Sequence, residues 1–440
     1  RRMDRAGTWD ATPAVAGDTG AVGEDRSFFV GRQAAFLLAS LFLVSVFAQI
    51  DRILPFILAE AIKAELLLSD TQVGLVTGIA FAACYALLSL PMARLSDQGS
   101  PRAVLLVCSI VWSAMTALGG LATGFATLAA SRFGVALGES GAVPASHALI
   151  ARKIRPEHRG LALGVFSMGI PLGTMVGFAA GGALGEAYGW RPVLIGVGTF
   201  GASVGILAFL AAGPTPRRER RQESSSFIST SWALLAMPAF RSLFVAAISI
   251  GFAAAPFYAF AATFLIRTHA LSATQAGLAF GLLQGGLGIA GTLLGGRRFD
   301  AAVRSSSRSL LRAPATAFLV AAVTTVAALF VPIRALSIAL MMPAMFAFAF
   351  TLPFAFGAAH RVAGVGREGI ASSLAMIASG LVGPALGPLI VGVISDGAAD
   401  AGVDNGLSWA LLLVPIACVV TAITYFHADR RISALLPSTR

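Results

Sequence analysis

The sequence predicts an all-helical integral membrane protein with twelve spanning helices, arranged as two six-helix bundles related by a parallel repeat. Composition is the first reason: 57% of the 440 residues are hydrophobic and only 12% are charged. Soluble domains are typically about a quarter charged, so a chain this poor in charge belongs in a membrane. The other two reasons are the recurrence of long apolar runs and a repeat shared by the two halves.

Twelve apolar runs are close to the roughly 20 residues that a helix needs to cross a bilayer core of about 30 Å. A Pro-, Arg- and Ser-rich stretch, GPTPRRERRQESSS, begins at Gly213 and divides the runs six and six. The predicted organisation is a tail over 1–32, a bundle over 33–212, a linker over 213–240, a bundle over 241–427 and a tail over 428–440. The runs are 33–62, 71–93, 103–123, 125–151, 160–186, 191–212, 241–267, 273–296, 311–331, 335–359, 370–394 and 406–427.

The Arg and Lys residues in the connections predict the orientation of the helices. Seventeen lie in the even-numbered loops and the linker, and four lie in the odd-numbered loops; positive residues favour the cytoplasmic side. We therefore expect cytoplasmic termini, and the arginine-rich short loops favour a bacterial inner membrane. The net charge of +11 reflects this topology and no clustered basic face, so nucleic acid is not an expected partner. The seventeen are Arg94, Arg102, Arg152, Lys153, Arg155, Arg159, Arg217, Arg218, Arg220, Arg221, Arg297, Arg298, Arg304, Arg308, Arg312, Arg361 and Arg367, and the four are Lys63, Arg191, Arg267 and Arg334.

Two segments repeat at an offset of 203 residues. LSDTQVGLVTGIAFAACYALLSLPMARLSD begins at Leu68, and LSATQAGLAFGLLQGGLGIAGTLLGGRRFD begins at Leu271. Ten positions match without a gap, including the Arg and the Asp near the end of each segment. Because six helices separate the copies, both copies cross the membrane in the same direction. Two parallel six-helix halves predict a substrate site near the bilayer midplane, between the halves.

Four charged residues lie well inside the apolar runs, away from their ends: Asp51 and Arg52 in the first, and Arg132 and Glu139 in the fourth. Each costs about 2.5–3.5 kcal/mol near the bilayer centre, so such residues are functional candidates. Neighbours on a helix point about 100° apart, so we expect one of Asp51 and Arg52 to line a central cavity while the other reaches an adjacent helix. A purely structural ion pair, and an Arg132 side chain that extends to the outer surface, are the alternatives.

The loop ARLSDQGSPR (93–102) resembles the signature between helices two and three of the major facilitator superfamily, and GGRRFD (295–300) is its C-terminal copy. Ala93 stands where the family has Gly, and Gln98 stands where it has Arg. The resemblance implies a cytoplasmic gate in which the acid faces a helix N-terminus of the other half. A solvated loop charge is the alternative. The gate residues are Asp97, Arg94 and Asp300.

Further motifs resemble the Spinster branch of this superfamily, which exports lysolipids and sphingosine phosphate. They are the Asp-Arg pair of helix one, GESGAVPA in helix four, RGLALGVFSMGIPLGTMVG leading into helix five, and GWRPV opening helix six. The resemblance implies that Asp51 and Glu139 couple transport to protons. It also implies that Arg52 and Arg132 hold an anionic head group or tune the proton affinity of the acids. A substrate phosphate competing for an arginine would then release a carboxylate to take up a proton.

Helices seven, eight and ten have no acidic residue in their interiors and are rich in Phe, Ala and Met. Phe257, Tyr258 and Phe354 are candidates for an apolar cavity wall, and ordinary packing is the alternative for each. A charged wall opposite an apolar wall suits an amphiphile. The predicted function is therefore proton-coupled secondary transport of an amphiphilic, lipid-like substrate by a monomer surrounded by membrane lipids. We expect no enzymatic activity, cofactor or metal. An organic-anion/proton symporter of a neighbouring branch, and a non-transporting receptor or scaffold, are the rival functions.

Overall fold

A computed structural model describes residues 31–155, 158–214, 227–305, 309–364 and 367–435. Within these ranges the chain is helical apart from short connections, and eleven helices are long and apolar enough to cross a membrane. The predicted all-helical membrane fold is confirmed. The predicted N-terminal tail, much of the linker and the end of the C-terminal tail lie outside the described residues.

In the described residues of the N-terminal half, nine helices form six membrane segments. Segment four is the one missing from the eleven long helices, because it divides after Glu139 into two shorter helices. Segment two also divides, at Gly78. In chain order the helices are α1 (Arg32–Ile57), α2 (Ala59–Leu66), α3 (Asp70–Thr77), α4 (Ile79–Gln98), α5 (Pro101–Gly119), α6 (Phe125–Glu139), α7 (Ala142–Lys153), α8 (Arg159–Tyr188) and α9 (Trp190–Ala212).

The C-terminal half begins with a short helix inside the stretch predicted as a linker, and Leu234 of this helix is fully buried. The last helix continues past the predicted boundary at 427. One π-helical turn, Ala378–Val382, interrupts the eleventh segment. The helices are α10 (Phe227–Ala236), α11 (Pro238–His269), α12 (Ala273–Arg304), α13 (Arg312–Phe330), α14 (Arg334–Phe350), α15 (Leu352–Ala363), α16 (Glu368–Ile377), α17 (Gly383–Asp400), α18 (Gly406–Ala410) and α19 (Leu413–Leu435).

The sequence repeat corresponds to a repeated helix start. Ser69 accepts a hydrogen bond from the backbone nitrogen of Gln72 at 3.2 Å, and the Gln72 side chain accepts one from the Ser69 nitrogen at 3.0 Å. Ser272 and Gln275 form the same reciprocal pair at 3.3 Å. Each pair satisfies backbone donors that the first turn of a helix leaves free. The repeated LS-TQ motif is therefore a capping box at the start of segments two and eight.

The two halves meet on one side of the membrane, which we call the outer side because it carries Lys63, Arg191, Arg267 and Arg334. A Cβ on Gly182 would lie 2.3 Å from the Ala273 carbonyl oxygen, and one on Gly74 would lie 2.4 Å from that of Pro388. Glycine is thus required for α8 to contact α12, and for α3 to contact α17.

Towards the opposite, inner side the halves separate. On the same face of α8, Met168 and Leu161 are 62% and 72% exposed, and Ile289 of α12 is 46% exposed. Helices that touch at their outer ends therefore diverge at their inner ends. The structure is closed on the outer side and open on the inner side.

Candidate functional site

The centre of the N-terminal half holds an ion pair between Arg52 of α1 and Glu139 at the end of α6. The guanidinium Nη2 donates to Glu139 Oε2 at 2.7 Å, and Nε donates to the same oxygen at 3.2 Å. Glu139 is only 1% exposed, and its other oxygen, Oε1, has no hydrogen-bond partner among the described residues. Among the described residues, Arg52 is thus the only cation bonded to Glu139, a carboxylate that is almost completely removed from solvent.

Two aromatic rings of α4 complete the surroundings of Arg52. Its guanidinium carbon lies 4.9 Å from the ring centroid of Phe81 and 4.9 Å from that of Tyr85. The Arg52 side chain is nevertheless 35% exposed. A guanidinium facing lipid at this depth would be costly, so its free edge faces the space between the halves. Arg52 is therefore the residue of the Asp51–Arg52 pair that lines the central cavity.

Asp51 points the other way, into the N-terminal bundle. It is 2% exposed, and the Thr116 hydroxyl of α5 lies 2.7 Å from Oδ1 and 2.5 Å from Oδ2. As predicted, the side chains of Asp51 and Arg52 point in different directions. Sequence reasoning did not find Thr116, whose hydroxyl is the only hydrogen-bond donor that Asp51 has in the described part of the chain.

Arg132 lies within the bundle and does not reach the outer surface, contrary to the alternative of an extended side chain. It is 5% exposed, and its guanidinium carbon lies 5.1 Å from the Phe81 centroid, so Phe81 contacts both arginines. Its Nε has no hydrogen-bond partner in the described ranges. Helix α6 comes this close to α5 because residue 138 is glycine: a Cβ there would lie 2.5 Å from the Trp112 nitrogen.

The three aromatic residues predicted for the cavity wall lie inside the C-terminal bundle. Phe257 and Phe354 are 0% and 1% exposed, and Phe257 packs edge-to-face on Phe280 with centroids 6.0 Å apart. Tyr258 is half-buried and packs on Phe348 at 5.8 Å. In this inward-open arrangement Phe257 and Phe354 are packed interior residues and present no open surface to a cavity.

The predicted cytoplasmic gate lies on the open side of the molecule. Arg94 and Asp300 are exposed, and neither forms an ion pair or hydrogen bond with a described side chain. Asp97 lies near the end of α4, but its side chain is outside the described part of the structure. The role of these three residues as a gate stays a prediction.

A set of polar contacts that was not predicted from the sequence joins the halves on the outer side, and we call it the outer latch. Arg267 of α11 donates to Glu60 of α2 at 2.6 and 2.9 Å and to Asp70 of α3 at 2.7 Å through two nitrogens. Lys63 donates to the same Asp70 at 2.5 Å, and Ser395 of α17 donates to it at 2.7 Å. Asp70 is 3% exposed, so this acid is the buried centre of the latch.

Two further contacts of the latch are related by the sequence repeat. Asp396 of α17 accepts from the nitrogen and hydroxyl of Thr71 at 2.8 and 2.6 Å. Glu186 of α8 accepts from the nitrogen and hydroxyl of Thr274 at 3.0 and 2.7 Å. Each half thus places a carboxylate on a helix N-terminus of the other half, where negative charge is favoured. The repeated Thr in LS-TQ was the sequence signal for these contacts.

Fold and site together define a membrane transporter built from two six-helix halves around a central polar site. A family model of the Major Facilitator Superfamily matches residues 41–388. An MFS-type efflux pump of Mycolicibacterium smegmatis is 32% identical over 405 residues, which are 91% of this chain and 94% of that protein. The chain belongs to the major facilitator superfamily, and it is a transporter.

Solved structures of similar fold include a bacterial homologue of the human lysosomal transporter Spinster. Its inward-facing, unoccupied conformation covers 94% of this chain and 100% of that chain, with a TM-score of 0.80 and 24% identity. Its inward-facing, occupied conformation covers 92% and 97%, with a TM-score of 0.76 and 26% identity. The nucleoside transporter NupG shares the fold at a TM-score of 0.69 and 15% identity, over 89% of this chain and 99% of that chain. The resemblance to Spinster-like bacterial transporters is thus confirmed.

Proposed function

We propose that this chain is a proton-coupled exporter of anionic, lipid-like amphiphiles that works by alternating access. The observation that carries the proposal is the Arg52–Glu139 pair: the carboxylate is buried, while the guanidinium that neutralises it is 35% exposed towards the cavity. A ligand phosphate or carboxylate can therefore reach Arg52 without first exposing Glu139 to solvent.

The coupling follows from competition for one cation. Arg52 uses two nitrogens on a single oxygen of Glu139, and an anionic head group offers the same guanidinium a stronger, multidentate partner. When the head group takes Arg52, Glu139 is left buried without its cation. An unpaired charge there costs several kcal/mol, so the carboxylate binds a proton instead. Substrate binding and proton uptake are then one event, with no covalent step.

Asp51 provides the second proton-binding position, and Arg132 compensates its charge from within the same bundle. The two pairs have different surroundings: Arg52 and Glu139 respond to a ligand in the cavity, while Asp51 and Arg132 are enclosed in the N-terminal half. The proposed proton coupling thus still involves Asp51 and Glu139, as predicted from the sequence. The pair that responds to the substrate is Arg52–Glu139.

The lipid-like character of the substrate rests on the contrast between the halves. Apart from Asp300 near the inner end of α12, the C-terminal helices α11, α12 and α14 contain no acidic residue, and α11 and α14 are rich in Phe and Ala. A head group held by Arg52 would leave its tail against this apolar half. Export is the favoured direction because the M. smegmatis relative is an efflux pump. The protein would act as a monomer in a bacterial inner membrane, with both termini in the cytoplasm.

The test is proton movement across the membrane of liposomes that contain purified protein. A lysophospholipid and a small organic anion are added separately to wild type, to Asp51→Asn and to Asp404→Asn, a control acid exposed on the outer side. We expect a proton signal with the lysophospholipid that Asp51→Asn abolishes and Asp404→Asn retains. A signal with the small anion alone would instead identify an organic-anion symporter. No signal with either compound would favour a non-transporting receptor.

A further inference from the structure

The N-terminal bundle contains a small pocket whose lining residues all belong to the N-terminal half. It lies between α1, α2, α3, α5, α6 and α9, and extends from Thr116 and Arg132 towards the outer ends of these helices. Its lining is apolar apart from Arg132 and the hydroxyls of Thr77, Thr116 and Ser131.

The polar atoms of this pocket suit water. Its free volume for water is about 20 Å³, and one water molecule needs about 10–15 Å³ and two to four polar partners. Arg132, which is 95% buried, offers an Nε donor that has no partner among the described residues. The Thr116 hydroxyl gives its hydrogen to Asp51 and keeps lone pairs that can accept one from water. A water molecule that bridged these groups would satisfy Arg132 Nε and contact the hydroxyl bonded to Asp51.

The outer end of the pocket is closed by the same helices that carry the outer latch. In helix α2, Ala59 and Ile62 line the pocket, and Glu60 and Lys63 belong to the outer latch. In helix α3, Val73, Val76 and Thr77 line the pocket, and the first residue of the helix is Asp70, the buried acid of the outer latch.

We propose that this pocket is a hydrated proton site, through which Asp51 exchanges protons with the outer side only when the outer latch is open. With the latch closed, Ile62 and Leu68, which are 4% and 6% exposed, seal the pocket from the outer solution. When α2 and α3 move away from the C-terminal half, their wall residues move with them and water enters. A hydronium ion then gives a proton to the Thr116 oxygen while the Thr116 hydrogen passes to Asp51, leaving water, the hydroxyl and a neutral carboxyl group.

Access to the two acids would thus come from opposite sides. The charged groups around Asp51 are Arg52 from its own helix and Arg132 and Glu139 from α6; Thr116 of α5 is its hydrogen-bond donor. Glu139 exchanges with the inward-open cavity beside Arg52, and Asp51 exchanges with the outer side through the pocket. This deepens the proposed function and rests on it, because it assigns a route to a proton that the proposal places on Asp51.

The first test measures access to the pocket and needs no substrate. Cys84, Cys108 and Cys418 are replaced by Ala, a cysteine is placed at Val76, and its reaction with a small, water-soluble thiol reagent is timed from outside. We expect reaction at least tenfold faster when Arg267→Gln opens the latch. Ala401→Cys, exposed on the outer side, serves as the control and should react alike in both backgrounds. Equal rates at Val76→Cys with and without Arg267→Gln would overturn the proposal.

The second test separates the route from the coupling itself. Thr116→Val keeps the shape of the side chain and removes the hydroxyl, whereas Thr116→Ser keeps the hydroxyl. We expect Thr116→Val to slow substrate-driven proton movement at least tenfold, Thr116→Ser to restore it, and the substrate dissociation constant to stay the same in both. Unchanged proton movement in Thr116→Val, together with loss in Asp51→Asn, would refute the route and leave the proposed function standing. Unchanged movement in Asp51→Asn would refute proton coupling at Asp51 itself.

Discussion

Replacing Arg52 should destabilise the protein more than replacing its partner Glu139. The reason is the asymmetry of burial: the Glu139 carboxylate is 1% exposed and the Arg52 side chain is 35% exposed. Arg52→Gln leaves a bare carboxylate inside the bundle, and breaking a buried pair in this way costs about 3–5 kcal/mol. Glu139→Gln leaves a guanidinium that can reach water and still stacks on Phe81 and Tyr85, so we expect a loss of about 1–2 kcal/mol.

The double variant makes the comparison sharper, because it contains neither charge. We expect Arg52→Gln/Glu139→Gln to lose about 1–2 kcal/mol, less than Arg52→Gln alone. The assay is equilibrium unfolding in mixed micelles, followed by tryptophan fluorescence at fixed lipid and detergent concentrations. Arg334→Gln is the control: this arginine is exposed on the outer side, and its replacement should change the free energy of unfolding by less than about 0.5 kcal/mol. Equal losses in the two single variants, or a double variant less stable than Arg52→Gln, would refute the reasoning.

Three further predictions concern the outer side. Asp70→Asn weakens the contacts to Arg267 and Lys63 and should therefore shift the population towards the outward-open form by about tenfold or more, where each factor of ten corresponds to about 1.4 kcal/mol. Spin-label distances across the outer ends of α3 and α17 would report this shift, and unchanged distances would contradict the prediction. Gly277→Leu should hold the outer ends of α8 and α12 apart, because a Cβ at 277 would lie 2.2 Å from the Phe178 carbonyl oxygen. Gly288→Leu, with open space around its Cβ, is the matched control. Spin-label distances across the outer ends of α8 and α12 would test this, and equal distances in the two variants would count against the contact. The Arg191 guanidinium and the Trp190 indole hold the pKa of Glu65 below its usual range. The stability that Glu65 contributes is therefore present above the ordinary carboxyl pKa and is lost as pH falls through the lower pKa of the folded state. Glu65→Gln should remove that part of the pH dependence of unfolding, and a pH profile superimposable on that of wild type would disprove the prediction.

Much of the architecture is predictable from the sequence because it depends on local pattern. Apolar run lengths, the 203-residue repeat and the loop arginines predict the helices and their pairing into halves, and the helical angle between adjacent residues predicts that Asp51 and Arg52 diverge. Segment four breaks after Glu139, and the signal for this break is Pro144, which lies in the first turn of α7 and lacks the amide hydrogen that would bond to the carbonyl of residue 140. Helix α10 lies in a stretch whose charged beginning suggested a linker.

Contacts between distant helices were the less predictable part. Arg52 bonds Glu139 across 87 positions, and Asp51 bonds Thr116 across 65. One threonine in an apolar run carries no distinguishing signal of its own. The outer latch was not predicted for a different reason: Lys63 and Arg267 were counted only for topology, although Asp70 lies seven positions after Lys63. The contacts of Arg267 with Glu60 and Asp70 span 207 and 197 positions. Asp70 could also have been recognised as a candidate, because the sequence repeat does not account for it: the repeat-related position, 273, is alanine.

The central claim is that an anionic substrate takes Arg52 from Glu139, and that Glu139 then binds a proton. The most direct measurement is calorimetric titration with a lysophospholipid bearing a phosphomonoester head group, in buffers of different ionisation enthalpy. We expect wild type and Asp51→Asn to take up about one proton per molecule bound, and Glu139→Gln to take up none while still binding. Binding without proton uptake in wild type, or undiminished uptake in Glu139→Gln, would contradict it.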